Sequence, residues 1–270
     1  MNTNELYEAL RNFIIDIVFL HSPELFVPIW STIIRGGSVP KFITYTHWLP
    51  QIEGKLVEYQ NAEKYIHLAA YKTAKFNYTY SEYNASMLDE IFRNSENIKF
   101  DIIYPPFKMD TDEVDDSMKY DIPTFLFNSR ASEYTGYSFL KEVLDKYDEK
   151  YSDKIQIAFS RIAQNVGFAD KIREDFKSIN IINMKEGEDY REFMKRCHYV
   201  LGLHSGKSGF SISVMDGINA GLMPVFYNGA FFPEIFKGFE RSDFLEYCSF
   251  KRFDADEVAD LLHKLIMPVP

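Results

Sequence analysis

A chain of 270 residues, 46% hydrophobic and 26% charged, is long enough for about two packed domains and too apolar to stay disordered. Its 40 acids against 30 bases leave a net charge of −10, the wrong sign for gripping duplex DNA through one broad basic face. Two cysteines form no disulfide framework and fit a reducing cytoplasm; no apolar run reaches the ~18 residues of a membrane span, and the N-terminus does not read as a signal peptide.

The predicted elements alternate between strand and helix. Phe13–Leu20 is a short, β-branched run of the kind buried in a parallel sheet. Pro23 falls in the next turn, and a helix follows to about Ile34. Lys41–Thr46 reads as a strand, residues 53–75 as a helix, Asn77–Tyr80 as a strand, Tyr83–Phe92 as a helix and Phe100–Tyr104 as a strand, closed by Pro105 and Pro106. Five acids then crowd into Asp110–Asp116, which reads as a solvated linker. Residues 1–120 hold 17 acids and 11 bases, so outside that stretch the first half is nearly neutral and a local basic groove is open to it.

A second series begins with the strand Pro123–Phe127 and the helix Gly136–Lys150. The strands Lys154–Phe159 and Asn180–Asn183 come next, then the helix Asp189–Arg196 and the strand Tyr199–Leu203. The helix Gly209–Ala220, the strand Met223–Tyr227 and the helix Asp256–Leu265 complete the chain. Two successive α/β series imply an α/β protein of two doubly wound Rossmann-like domains facing a cleft, residues 1–120 and 121–270.

The segment from Leu203 to Phe226 is the most informative. A buried strand ends at Leu203, and the small-residue turn His204-Ser205-Gly206-Lys207-Ser208-Gly209 leads into a helix. Free backbone N–H groups near Gly209 and Phe210 would offer a diphosphate the positive end of the helix dipole, with Lys207 adding a charge. Asp216 lies two turns into the helix, where a carboxylate can accept hydrogen bonds from two sugar hydroxyls. The turn is not a P-loop, because Leu201 stands where the first glycine would be needed.

This segment resembles the donor-binding signature of GT-B glycosyltransferases, two glutamates eight residues apart with Gly-Phe-Gly after the first and Ala-x-Gly-x-x-Pro-Val later. Ser208-Gly209-Phe210-Ser211 occupies the Glu-Gly-Phe-Gly place, Asp216 falls at the second glutamate, and Ala220-Gly221 with Pro224-Val225 completes the pattern. Phe127-Asn-Ser-Arg130 followed by Thr135-Gly136 is similar to the family's Arg and Lys-Gly, which clamp the donor diphosphate; Arg130 matches, and Thr135 replaces the lysine. His47, in Tyr45-Thr-His47-Trp48, and His21 at the preceding strand end match the histidine that these enzymes often carry beside the acceptor.

The resemblance implies an enzyme that moves a sugar from a nucleotide-sugar, a UDP-sugar by preference, with neither cofactor nor metal required. Tyr-x-His and Lys-Ser-Gly-Phe point within the family to phage enzymes acting on 5-hydroxymethylcytosine in DNA. A surface polysaccharide or small acceptor, and a non-catalytic nucleotide-sugar binder, are the alternatives. The first domain is shorter than the family's: it is reduced, or a second copy or another chain completes it.

Overall fold

A computed structural model describes residues 15–21, 23–35, 40–46, 57–93, 98–105, 115–131, 135–160, 170, 172, 174–176, 179–204, 210–237 and 246–267. The chain divides into two compact units, Met1–Pro105 and Pro106–Pro270, so the acidic stretch at 110–116 belongs to the start of the second. No described helix is long and apolar enough to cross a membrane.

The first unit holds a parallel sheet of β1 (Ile17–Leu20), β2 (Lys41–Thr46), β3 (Phe76–Thr79) and β4 (Asp101–Ile102), side by side in chain order. Between them run α1 (Phe26–Arg35), α2 (Val57–Thr73) and α3 (Glu82–Ile91). Crossovers between parallel strands are right-handed, so a chain that always steps the same way lays its helices on one face. The side chains follow suit. Leu20, Phe42, Thr44, Thr46, Asn77 and Thr79 share the covered face and are buried. Phe26 of α1 meets Phe42 edge-on at 5.3 Å, and Tyr71 of α2 bonds the Thr46 hydroxyl at 2.9 Å. On the opposite face Ile17, Phe19 and Phe76 remain 59%, 49% and 43% exposed.

The second unit is wound differently. Its six parallel strands are β5 (Thr124–Phe127), β6 (Gln156–Phe159), β7 (Asn180–Asn183), β8 (Tyr199–Gly202), β9 (Met223–Tyr227) and β10 (Ser249–Phe250), in the order β10-β9-β8-β5-β6-β7. The chain steps outward from β5 to β7, returns to the other side of β5, and steps away again through β10. That reversal puts helices on both faces, and every residue of β5 and β6 is buried. Phe125 of β5 stacks on Tyr199 of β8 with ring centroids 4.5 Å apart. The helices are α4 (Tyr137–Lys150), α5 (Tyr190–Lys195), α6 (Ile212–Asn219), α7 (Phe232–Ile235) and α8 (Ala255–Ile266), with α8 lying against α4.

Close packing fixes α6 on its sheet: a Cβ on Gly217 would stand 2.7 Å from the Val200 side chain, so only glycine lets the helix approach. Cys197 and Cys248 are buried, which pushes each thiol up to about 12 and removes both as nucleophiles at neutral pH.

The strand and helix series matches the sequence reading, with ends moved by a few residues. The first strand is shorter than expected, Ile17–Leu20 within the expected 13–20, residues 13 and 14 lying outside the described set. The short α7 and the two-residue β10 have no counterpart in the sequence reading.

Candidate active site

In an open α/β sheet, ligands settle at the carboxyl ends of the strands where the winding reverses. Here that point lies between β5 and β8. The chain leaves β5 through Asn128, Ser129 and Arg130, and leaves β8 through Leu203 and His204. Above them begins α6, capped by Ser211, whose hydroxyl accepts from the Val214 N–H at 3.4 Å.

Hydroxyls and one imidazole tie the three pieces together. Ser129 Oγ lies 3.0 Å from Ser213 Oγ and 3.4 Å from His204 Nε2, and Ser213 Oγ lies 3.1 Å from Ser211 Oγ. Asn128 Nδ2 donates to the Ser213 carbonyl at 2.7 Å and to the Tyr190 hydroxyl at 2.6 Å, while Ser160 donates to Asn128 Oδ1. The Tyr190 hydroxyl in turn donates to Asp216 Oδ2 at 3.2 Å.

Backbone fit completes the arrangement. Gly136, the residue before α4, has φ +82°, and a Cβ there would stand 2.2 Å from the Leu203 carbonyl oxygen. Both the left-handed conformation and the contact demand glycine, so α4 starts hard against the end of β8. Thr135 Oγ1 donates to the Arg130 carbonyl at 2.5 Å and braces the same turn.

His204 is only 5% exposed, and burial pushes its pKa down to about 4, so the imidazole is neutral at pH 7. Its Nδ1 has no hydrogen-bond partner among the described residues. The Arg130 side chain is exposed. The first turn of α6 carries no acid that would offset the positive end of its dipole.

No family model matches the chain, and neither does any curated protein sequence. Solved structures do. A glycosyltransferase from Rickettsia africae ESF-5 superposes with a TM-score of 0.64 at 16% identity, over 97% of this chain and 73% of that one. Anabaena HepE, in complex with UDP-glucose, gives 0.71 at 9% identity over 98% and 72%. The lipopolysaccharide outer core galactosyltransferase WaaB, in its apo form, gives 0.57 at 10% identity over 98% and 70%.

The fold is GT-B.

Seen on the GT-B frame, the sequence-predicted residues fall into three groups. Arg130, Thr135, Gly136, Phe210 and Asp216 belong to the GT-B unit built on the second sheet. Phe210 is half-buried, its ring 5.4 Å from that of Phe231. His21 is exposed at the carboxyl end of β1 in the other unit, its ring 5.1 Å from Phe19 and 5.3 Å from Tyr45. Ser205, Lys207, Ser208, Gly209 and His47 lie outside the described residues.

One expectation is corrected. The helix expected from Gly209 starts at Ile212, because Ser211 supplies the cap that neither Gly209 nor Phe210 has a side chain to make. The leading N–H groups of this GT-B helix are therefore those of Ile212 and Ser213. Asn128, Ser129, Tyr190, His204 and Ser213 escaped the sequence reading. Two polar residues directly after the wholly apolar end of a strand, Asn128 and Ser129, were a usable signal. Tyr190 gave none, since its partner Asp216 lies 26 residues away.

Proposed function

We propose that this protein is a glycosyltransferase that moves a sugar from a UDP-sugar to a hydroxyl of a surface polysaccharide or a small acceptor. The observation that carries the reading is the bonded cluster of Ser129, Ser213 and His204 at the start of α6, with Arg130 next to Ser129 in the chain and Asp216 in the second turn of the helix. A cation and a helix N-terminus suit a diphosphate, and a carboxylate one to two turns farther on suits a ribose. The likeness to HepE, which was solved with UDP-glucose, supports the donor class.

In the reaction the bond between the sugar and the diphosphate breaks as the acceptor oxygen attacks, and negative charge grows on the departing phosphate. Arg130 and the α6 terminus would stabilise the charge growing on the departing phosphate. Neutral His204 keeps the Ser129 and Ser213 hydroxyls in place without adding a second fixed charge. Lys207, Ser205, Ser208 and Gly209 are proposed as further donor-binding residues, with Thr135 and Gly136. His21 and His47 are the residues proposed to take the proton of the attacking hydroxyl.

For the acceptor, the net charge of −10 and the likeness to a lipopolysaccharide galactosyltransferase both support a carbohydrate over DNA carrying 5-hydroxymethylcytosine. The test is UDP release from a panel of UDP-sugars, with oligosaccharides and hydroxymethylated DNA as parallel acceptors. Release that depends on the oligosaccharides upholds the proposal. Release that depends on the DNA alone moves the acceptor to nucleic acid, and tight UDP binding with no release under any condition makes the protein a binder. Arg130→Ala should weaken UDP binding by about 1.5–3 kcal/mol, the range for a hydrogen bond to a charged group. Unchanged affinity by calorimetry in a folded variant would put Arg130 outside the site.

A further inference from the structure

We infer that Tyr190 is a positioning residue for nucleotide recognition, holding Asp216 at the end of a hydrogen-bond relay that runs from Ser160 through Asn128. The inference rests on the reading of Asp216 as the group that meets the donor's ribose.

The relay has one direction. Ser160 donates to Asn128 Oδ1, Asn128 Nδ2 donates to the Tyr190 hydroxyl at 2.6 Å, and that hydroxyl donates to Asp216 Oδ2 at 3.2 Å. A hydroxyl that accepts an amide N–H has its own proton left for the carboxylate, so every bond in the series points toward the negative charge. Such a chain polarises link by link and ends in a charge-assisted bond.

Neither end of the relay can drift. Asn128 and Ser160 are buried, at 1% and 4% exposure. Asn128 Nδ2 also donates to the Ser213 carbonyl at 2.7 Å. A flipped amide would set oxygen against that carbonyl, so the orientation is decided by the network. Tyr190 is the first residue of α5, and that helix start is pinned by Asp189, whose Oδ1 accepts the Arg191 and Glu192 N–H groups, each at 3.0 Å. The relay therefore joins the ends of β5 and β6 and the first residue of α5 to the second turn of α6. An aspartate has one methylene less reach than a glutamate, and its carboxylate must be aimed more closely to meet ribose hydroxyls. Tyr190 supplies that aim.

The experiment measures binding of UDP and of 2′,3′-dideoxy-UDP, which lacks both ribose hydroxyls, to the intact chain and to Tyr190→Phe and Ser160→Ala. The parent should prefer UDP by about 10-fold or more, as a site that hydrogen-bonds a hydroxyl rejects the analogue that lacks it. Tyr190→Phe should weaken UDP by about 5–10-fold, the worth of one such hydrogen bond, and leave the dideoxy nucleotide within about 2-fold. Ser160→Ala, at the far end of the relay, should erode the same preference by about 2–3-fold. The dideoxy affinity reports on folding in the same titration, because its diphosphate is held by other groups. If both variants keep the full preference for UDP, or lose both nucleotides equally, Tyr190 has no positioning role. A parent that binds both nucleotides alike overturns the ribose reading of Asp216 instead, and a parent that binds neither overturns the nucleotide-sugar reading and the relay with it.

Discussion

Two parallel sheets, made from similar sequence, end in different states. The four strands of the first stand in chain order, and their free face leaves Ile17, Phe19 and Phe76 in solvent. The six strands of the second reverse direction once, between β5 and β8, and the central β5 and its neighbour β6 are buried on both faces. One change of winding thus does two things: it covers the sheet, and it opens the crevice where Asn128–Arg130, His204 and the start of α6 come together. Burial and site have the same topological origin, and neither could be had without the other.

Three substitutions would break or sharpen this contrast. The largest effect is expected at the switch point. Phe125→Ala removes a fully buried ring stacked on Tyr199 and should cost about 3–5 kcal/mol in a denaturant titration. A loss below about 1 kcal/mol would mean that the two halves of the second sheet are not held together there.

The next concerns pH. An unfolded chain protonates His204 near its ordinary 6.5, whereas burial delays this to about 4 in the fold. The unfolded state therefore binds the proton first, and stability falls as pH drops from about 6.5 to about 4, by about 3 kcal/mol from this residue. His204→Asn should flatten that part of the stability profile, while His198, also lowered by burial, keeps a residual slope. An unchanged profile would show that His204 is solvated.

The smallest effect is expected on the free face of the first sheet. Phe19→Asn should change stability by no more than about 0.5 kcal/mol, since the ring is already half in water. A large loss in thermal melting would show that the face is covered in solution, and the contrast between the sheets would fail.

The strands of the second sheet were legible because they are short apolar runs bounded by turns. The free face was not. Phe19 sits in a run that reads as a buried strand, and only the order of strands, a long-range fact, leaves it 49% exposed. The relay to Asp216 was hidden for the same reason. Ser160, Asn128, Tyr190 and Asp216 sit on separate elements and share no local pattern. The start of α6 was misread by three residues because glycine was weighed above serine, although it is the serine hydroxyl that can accept a first-turn N–H and so start a helix.

The pairing of β5 with β8 also has a kinetic side. Phe125 lies opposite Tyr199, 74 positions later (125 to 199), whereas neighbouring strands elsewhere in that sheet pair across 32 positions (124 to 156) or fewer. Closing the longer loop costs only about 0.7 kcal/mol more in chain entropy, but non-local contacts set the pace of folding. Parallel neighbours joined by a single crossover can assemble as the chain appears, while the end of β5 waits for the strand that ends beside His204. During synthesis the crevice at the end of β5 therefore cannot form until β8 has been made.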